Sequence, residues 1–360
     1  MDLTIRCSSL ARPMVCAGSL FFTDLPLDEG SDAAKEGTAA GELLERKLLG
    51  QPIGTHAANG VAFDADMEFY LEPIVQNIRA RSTGLITCEQ RIDWQTRSGI
   101  WIRGQYDVAY IDHEGALCID DLKYGWGPVE VKENWQLLGY AIGLFATVNH
   151  RISAIKLRIM QPRPHHEDGM YREWTLTVEE LMQYRERIEE RMLQIAEGDK
   201  LLVTSPKCRY CPAASQCPAL SKSFWHGVEM MHEFMEDRIN ENEISFQLDL
   251  IGRIKEIVKI KEDSLNTLAV DRVRQGKLIP NYAMEASYGD RKWKSGISPD
   301  IVKTLTGKQI VKQEMLSPAQ AEKLGVSKDF VNALTERQFR GQKLKKTDTA
   351  TLGSRIFGGQ

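Results

Sequence analysis

The sequence lacks a hydrophobic segment long enough to cross a membrane, a secretory leader and an internal repeat. Its longest apolar run, LLGYAIGLFATV (137–148), has about 12 residues, whereas a membrane-spanning helix needs about 20. Residues 1–25 lack the basic start, apolar stretch and small-residue cleavage site of a signal peptide. These absences argue against a membrane-spanning or secreted protein, so we expect a cytoplasmic protein with no membrane contact.

Cysteine is scarce, and the seven cysteines are odd in number. Disulfides are unexpected in a chain without a secretory leader, so clustered cysteines are better explained as metal ligands. Cys208, Cys211 and Cys217 form such a cluster in KCRYCPAASQC, with C-x2-C-x5-C spacing. Three thiolates need a fourth ligand to complete a tetrahedral metal site or an iron–sulfur cluster. Cys16 and its rival Cys7 are the upstream candidates.

Composition and length are those of an ordinary globular protein, with 42% hydrophobic and 27% charged residues in a chain of 360. This length allows two domains, or one large domain with an extension. The net charge of −4 is unevenly distributed, because acidic residues exceed basic ones over 1–252 and the reverse holds over 253–360. The C-terminal third is therefore a candidate for contact with a polyanion, and a solvated basic face is the equal alternative.

Hydrophobic periodicity predicts an alternation of helices and strands. Helices are predicted over 37–50, 65–81, 133–149, 177–198 and 228–276. Strands are predicted over 85–94, 99–112, 116–123 and 151–162. The order of helices, three strands, helix and strand indicates an α/β fold with a central mixed sheet flanked by helices.

The segment CIDDLKYG (118–125) resembles a buried strand, yet it carries two acids and a base. Side chains two apart share a face of a strand, so Asp121 and Lys123 point the same way. Asp107, on the preceding strand, can bring a second carboxylate to the same end of the sheet. Converging carboxylates suit a divalent cation such as Mg²⁺, and a lysine beside it can assist phosphodiester hydrolysis. A salt-bridged hairpin is the alternative explanation.

The next predicted helix places Gln136 and Tyr140 on one face, because residues four apart are neighbours on a helix. An Asp, then a D-x-K strand, then a Q-x-x-x-Y helix, in this order, resembles the PD-(D/E)XK nuclease superfamily and, within it, the RecB-like branch. The resemblance implies a restriction-endonuclease-like core. Beyond that core, the helical tract over 228–276 and the turn-rich remainder predict a C-terminal helical extension and a small accessory module.

The resemblance further implies a role for each of these residues. Asp107 and Asp121 would be metal ligands for Mg²⁺ or Mn²⁺, with the Leu122 carbonyl as a further ligand. Lys123 would be the catalytic lysine. The two helix residues, Gln136 and Tyr140, would organise the site and the DNA end.

One position departs from the RecB-like pattern, which usually opens with G-T-x-x-H-x-x-x-E and uses the histidine as a metal ligand. GTAAGELLE (37–45) has Gly41 at the histidine position, whereas Glu45 is retained as a candidate metal ligand and Glu42 is adjacent. Either the site takes one metal, or a carboxylate of this helix replaces the histidine. A protein that binds DNA without cutting it is the third alternative.

The cysteines resemble those of the iron–sulfur subset of the same superfamily, which includes AddB-type helicase–nucleases, CRISPR-adaptation nucleases and phage exonucleases. In phage-type members the first cysteine has a Ser-rich C-x-G-S context, which favours Cys16 over Cys7. The resemblance covers roughly residues 8–220. It implies a 4Fe-4S cluster, with zinc as the alternative occupant, held by Cys16, Cys208, Cys211 and Cys217.

The resemblance and the change in sequence pattern beyond Phe224 together divide the chain into three regions. They are a nuclease domain closed by the four cysteines (1–225), a helical linker or arm (226–276) and a small basic accessory module (277–360). In the last region aromatic and basic residues alternate in a way that suits DNA binding, with an inward-packed Trp293 as the equal alternative. The residues concerned are Arg291, Lys292, Trp293 and Lys294.

The expected activity is that of a metal-dependent exonuclease hydrolysing linear duplex or single-stranded DNA from its ends. The resemblance implies a phage-encoded enzyme of the host cytoplasm that serves recombination beside a single-strand annealing or single-strand-binding protein. A homo-oligomer is left open. The alternatives are a CRISPR-adaptation-like nuclease that processes DNA ends and a non-catalytic iron–sulfur scaffold that binds DNA.

Overall fold

A computed structural model describes residues 3–26, 30–148, 151–164, 166–233, 241–294, 297–308, 317–323 and 325–346. The strands of the main sheet are β1 (Thr4–Arg6), β2 (Ser82–Gln95), β3 (Trp101–Asp112), β4 (Leu117–Leu122), β5 (Ile155–Met160) and β6 (Tyr171–Leu176). The helices around it are α1 (Ala11–Val15), α2 (Asp32–Leu49), α3 (Ala65–Arg81), α4 (Trp135–Phe145) and α5 (Val178–Ala196). Two helices follow, α6 (Pro218–Glu233) and α7 (Glu241–Arg274).

The main sheet is mixed, as the sequence predicts. Its order is β1-β3-β4-β5-β6, and β2 also pairs with β3. The β1–β3 and β4–β5 pairs are parallel, whereas β2–β3, β3–β4 and β5–β6 are antiparallel. A turn ending at Gly115, whose φ is 77°, joins β3 to β4, as a tight hairpin connection requires.

Helices cover both faces of this sheet. One core packs α4 and α5 against one face and includes Ile119, Leu138 and Ile188. A second core packs α2 and α3 against the opposite face and includes Leu44 and Ile74. The two cores confirm the predicted α/β fold with a central mixed sheet flanked by helices.

Several elements differ from the predictions. The segment before residue 27, where no helix or strand is predicted from the sequence, contains β1 and α1, and β1 is a three-residue strand that pairs with β3. The sequence reading missed β6, whose last residue, Leu176, is buried. The long helical tract is two helices, and residues 234–240 between them lie outside the described part of the chain.

Chain contacts divide the protein into two compact units, Met1–Ser264 and Leu265–Gln360. The second unit contains the antiparallel pair of β7 (Tyr282–Trp293) and β8 (Thr335–Lys346). It also contains α8 (Pro299–Thr306), α9 (Pro318–Lys323) and α10 (Lys328–Leu334), around a small core that includes Val302 and Val331. The predicted region boundaries at 225 and 276 stay predictions. No helix in the described ranges is long and apolar enough to cross a membrane.

Candidate active site and cysteine pocket

The strand register brings Asp107 and Asp121 together. In the antiparallel β3–β4 pair Val108 lies opposite Asp120. Asp107, which precedes Val108, is therefore a neighbour of Asp121, which follows Asp120. The backbone N–H of Leu122 donates to Asp107 Oδ2 at 2.6 Å, which holds this carboxylate against β4. Burial and the nearby charge of Asp121 raise the pKa of Asp107 well above its usual value. The two carboxylates therefore repel each other unless a positive charge lies beside them.

That positive charge is Lys123. Its Nζ lies 2.7 Å from Asp121 Oδ2 and donates to Gln136 Oε1 at 3.3 Å. Burial lowers the pKa of Lys123, but the charges of Asp121 and Asp107 outweigh burial and raise it. Lys123 is thus a charged amine held at the acidic end of the sheet.

Gln136 connects the strand residues to α4. Its Nε2 donates to Asp121 Oδ1 at 3.0 Å and to the Tyr140 hydroxyl at 2.9 Å. The position of Gln136 is set by the N-cap of α4, since Asn134 Oδ1 accepts from the backbone N–H of Gln136 at 3.1 Å. Tyr140 reaches the site by passing over Gly104, where a Cβ would lie 2.5 Å from Tyr140 Cε1. The predicted strand and helix residues therefore form one hydrogen-bonded group.

Asp107, Asp121, Lys123 and Gln136 line a cleft of about 680 Å³ whose opposite wall is α2. Gly41 and Glu45 both line the cleft, as does Glu42. The Glu42 carboxylate is already engaged by Arg46 at 2.5 Å and by the backbone N–H of Ala58 at 2.8 Å. Glu42 and Glu45 are the two glutamates considered as replacements for the missing histidine. Because the contacts described engage the Glu42 carboxylate, Glu45 is the better candidate to bind a metal.

A further acid lines the cleft that was not predicted from the sequence, Glu89 on β2. The β2–β3 register, with Cys88 opposite Val108, puts Glu89 beside Asp107. Glu89 has a φ of 50°, which is strained for a residue other than glycine, and its Oε1 lies 3.5 Å from the position of a Cβ on Gly41. Burial, and then the charges of Glu45 and Asp121, raise the pKa of Glu89, although a hydrogen bond from Gln105 opposes them. No motif marks this glutamate, because its direction depends on the local backbone.

The donor chemistry of the cleft fits a hard divalent cation, although the ligands are not gathered around one point. Besides Glu42, four carboxylates line it, those of Glu45, Glu89, Asp107 and Asp121. Asp121 Oδ2 is buried and receives no well-directed hydrogen bond, despite its ion contact with Lys123. Oxygen donors of this kind are those that Mg²⁺ and Mn²⁺ prefer. Within the described ranges, no three His, Cys, Asp or Glu side chains are arranged as metal ligands.

The four predicted cluster cysteines line one small pocket, separate from the cleft. Gly18 N–H donates to the Leu201 carbonyl at 3.0 Å, which ties the segment after Cys16 to the chain that follows α5. The backbone N–H of Val203 points to Cys16 Sγ at 3.4 Å, and that of Ser205 to Cys208 Sγ at 3.4 Å. Four sulfurs and inward N–H groups suit a soft metal or an iron–sulfur cluster in donor type.

The other cysteines lie in the core. Cys7 packs against Gly104 and Gly139, and burial raises its thiol pKa to about 12. Cys88 and Cys118 are buried in the second core. Cys7 is thus placed apart from the pocket that contains Cys16.

The predicted DNA-binding residues of the second unit are only partly described. Trp293 is half-buried and packs against the small core of that unit. Lys294 Nζ donates to the Ala333 carbonyl at 2.7 Å. Arg291 and Lys292 belong to β7, but their side chains lie outside the described residues. The inward packing of Trp293 matches the structural alternative stated above.

Comparison with solved structures finds weak likenesses. One is the crystal structure of a protein designated SSO0001, at 14% identity and a TM-score of 0.32, covering 61% of this chain and 87% of that one. Another is an alkaline exonuclease from Laribacter hongkongensis, at 14% identity and a TM-score of 0.25, covering 54% of this chain and 88% of that one. At these TM-scores neither likeness supports a functional argument.

Comparison with protein families is more informative about relationship than about activity. No curated protein matches the chain. The model of a family described as a protein of unknown function, DUF2800, matches residues 4–346. The chain therefore belongs to the DUF2800 family.

Proposed function

We propose that this protein is a metal-dependent deoxyribonuclease of the PD-(D/E)XK type that degrades DNA from its ends. The observation that carries the proposal is the group formed by buried Asp121 and half-buried Asp107 and Lys123 in the cleft, joined to Gln136 on α4. A salt-bridged hairpin would pair one acid with one base. Here the Lys123–Asp121 ion pair lies beside a second carboxylate, that of Asp107, in an open cleft, which is an arrangement suited to binding a cation and a phosphate.

The proposed roles follow from the contacts. Asp107, Asp121 and the Leu122 carbonyl would hold Mg²⁺ or Mn²⁺, with Glu45 and Glu89 as the further carboxylates within the cleft. The bound cation would polarise the scissile phosphate and supply a reactive water. Lys123 can hold that water by hydrogen bonding and offset negative charge that develops on the phosphate.

Gln136 has a positioning role in this proposal. It contacts the lysine through its oxygen, and Asp121 and Tyr140 through its nitrogen, so it sets the spacing between base and acid. Preference for DNA ends rests on the resemblance of the Gln136 and Tyr140 helix to the RecB-like branch. The same resemblance suggests a phage recombination enzyme that works beside a single-strand annealing or single-strand-binding protein.

The cysteine pocket is proposed to hold a 4Fe-4S cluster, with zinc as the alternative occupant. Its ligands would be Cys16, Cys208, Cys211 and Cys217, which line one pocket although they come from both ends of the unit. The proposed role is structural, because the site would join the N-terminal segment to the chain after α5 and restrict the unfolded state. Anaerobic purification followed by iron, sulfide and zinc analysis tests the occupant. Cys208→Ser should lose it, whereas Cys7→Ser should retain it.

The nuclease is tested with end-labelled linear duplex DNA, the same DNA in circular form, and Mg²⁺ or Mn²⁺. We expect the wild type to degrade the linear form and Lys123→Ala to leave it intact. Lys132→Ala, which removes an exposed lysine from the loop before α4, is the matched control and should retain activity. Binding of DNA by both wild type and Lys123→Ala without any cleavage would replace the nuclease with a non-catalytic scaffold.

A further inference from the structure

The loop that follows Lys123 displays a tryptophan to solvent. Trp126 lies between Gly125 and Gly127 and is 63% exposed. An exposed indole leaves a large flat apolar surface open to water. That surface is available for contact with another ring.

The loop is held in place by a buried glutamine. Gln161 is fully buried, and its Nε2 donates to the carbonyls of Gly125 at 2.9 Å and Gly127 at 2.7 Å. Its Oε1 accepts from Arg172 at 2.5 Å and from the backbone N–H of Val129 at 3.2 Å. The Gln161 side chain thus holds both residues that flank Trp126. The tryptophan is therefore displayed by a turn whose backbone is fixed by hydrogen bonds.

The turn that carries Trp126 directly follows the cleft residues Leu122 and Lys123, so this turn forms a rim of the candidate active site. The Arg163 guanidinium packs over the Trp126 ring at 4.9 Å and over the Tyr124 ring at 4.4 Å. Arg163 also donates to Glu36 on α2 at 2.9 Å, and the residue after Glu36 lines the cleft. The ring is therefore anchored through Arg163 to the wall of the cleft, while most of its surface stays open.

We propose that Trp126 is a stacking platform for an unpaired nucleobase of the DNA strand that enters the cleft. The inference rests on the proposed nuclease function, because that function supplies a nucleic acid at this rim. A base inside a duplex is already stacked on both sides, so an indole can receive only a base at a frayed end or in a single strand. The ligand class is single-stranded or frayed DNA, bound without sequence preference.

The test measures binding of a fluorescein-labelled single-stranded oligonucleotide by anisotropy in EDTA, where cleavage cannot occur. We expect Trp126→Ala to weaken binding about tenfold, within the range of a single base–aromatic stack. Trp126→Phe keeps a ring and should lose much less. Trp225→Ala, which removes a tryptophan of similar exposure (62%) on α6, is the matched control and should bind like wild type.

An abasic oligonucleotide makes the test specific for stacking. Wild type should bind the abasic strand about as weakly as Trp126→Ala binds the normal strand, and Trp126→Ala should lose nothing more. Equal affinities of wild type and Trp126→Ala, or the same loss on normal and abasic strands, would overturn the inference.

The cleavage assay separates this inference from the proposed function. If wild type cuts linear DNA and Trp126→Ala cuts it with an unchanged KM, the stacking platform is wrong and the nuclease stands. If wild type neither binds nor cuts any DNA, the proposed function fails and the platform fails with it.

Discussion

Asp120 and Asp121 are adjacent on one strand, are equally buried and have opposite surroundings. Asp120 pairs with Arg158, which is itself buried, and accepts from the Tyr110 hydroxyl at 3.2 Å. Asp121 faces the cleft, the Lys123 amine and a second carboxylate. Because successive side chains of a strand point to opposite faces, one peptide step separates a structural ion pair from a candidate catalytic acid.

Burial of an acid therefore does not identify its role, since Asp120 and Asp121 are equally buried. Arg158 is a fixed partner, since it also contacts Asn77 at 2.6 Å and stacks on Tyr171 at 5.2 Å. Asp121 instead has one oxygen that accepts from Gln136 and one whose contact is an ion pair with a lysine at the edge of an open cleft. Each aspartate has one buried oxygen that receives no hydrogen bond, but only Asp121 lines the cleft, so Asp121 is the acid available for a ligand.

The largest expected effect is on activity. Asp121→Asn should lower the rate of DNA degradation on the order of 10²–10³-fold or more, because it removes charge from the reacting centre. Asp120→Asn should retain activity in proportion to its folded fraction. Rates with Mn²⁺ at saturating DNA measure both variants, and comparable loss in the two would abolish the distinction between the two faces.

The opposite order is expected for stability. Asp120→Ala should destabilise the protein by about 3–5 kcal/mol, since it leaves the Arg158 charge buried without its partner. Asp121→Asn should cost much less, because it also relieves repulsion with Asp107. Urea unfolding in EDTA compares the variants. A stable Asp120→Ala protein would show that Arg158 is solvated by other means.

A divalent metal ion should stabilise the protein only through the face of β4 that carries Asp121. Mn²⁺ at 100 times its Kd should stabilise the wild type by about 2.7 kcal/mol and should not stabilise Asp121→Asn comparably. Glu114→Gln, which changes an exposed acid in the β3–β4 turn, is the control and should respond like wild type. Thermal unfolding with and without Mn²⁺ provides the readout. An equal rise in Tm for all three proteins contradicts a site at Asp121.

The smallest effect on stability is expected when both members of the Asp120–Arg158 ion pair are replaced by apolar residues. Asp120→Leu combined with Arg158→Met should be destabilised by less than Asp120→Ala alone, because no unpaired charge remains. Activity should follow the folded fraction. A double variant that is less stable than the single one would mean that Arg158 stabilises the fold mainly through Asn77 and Tyr171.

Local periodicity in the sequence predicted much of the candidate active site. The two-residue period of a strand predicts that Asp121 and Lys123 share a face, and the four-residue spacing on a helix does the same for Gln136 and Tyr140. The structure brings these four together. It also places Cys16 in the same pocket as the downstream cysteines, a grouping that spacing alone left open between Cys16 and Cys7.

Short-range periodicity in the sequence specifies the α/β class, the alternation that separates Asp120 from Asp121 and the elements that carry the candidate site. Long-range packing specifies that Glu89 turns into the cleft, that Gln161 clamps the turn of Trp126 and that β1 pairs with β3. Each of these depends on residues distant in the chain or on one backbone angle. No local pattern records such contacts, because their energy arises when the sheet has formed.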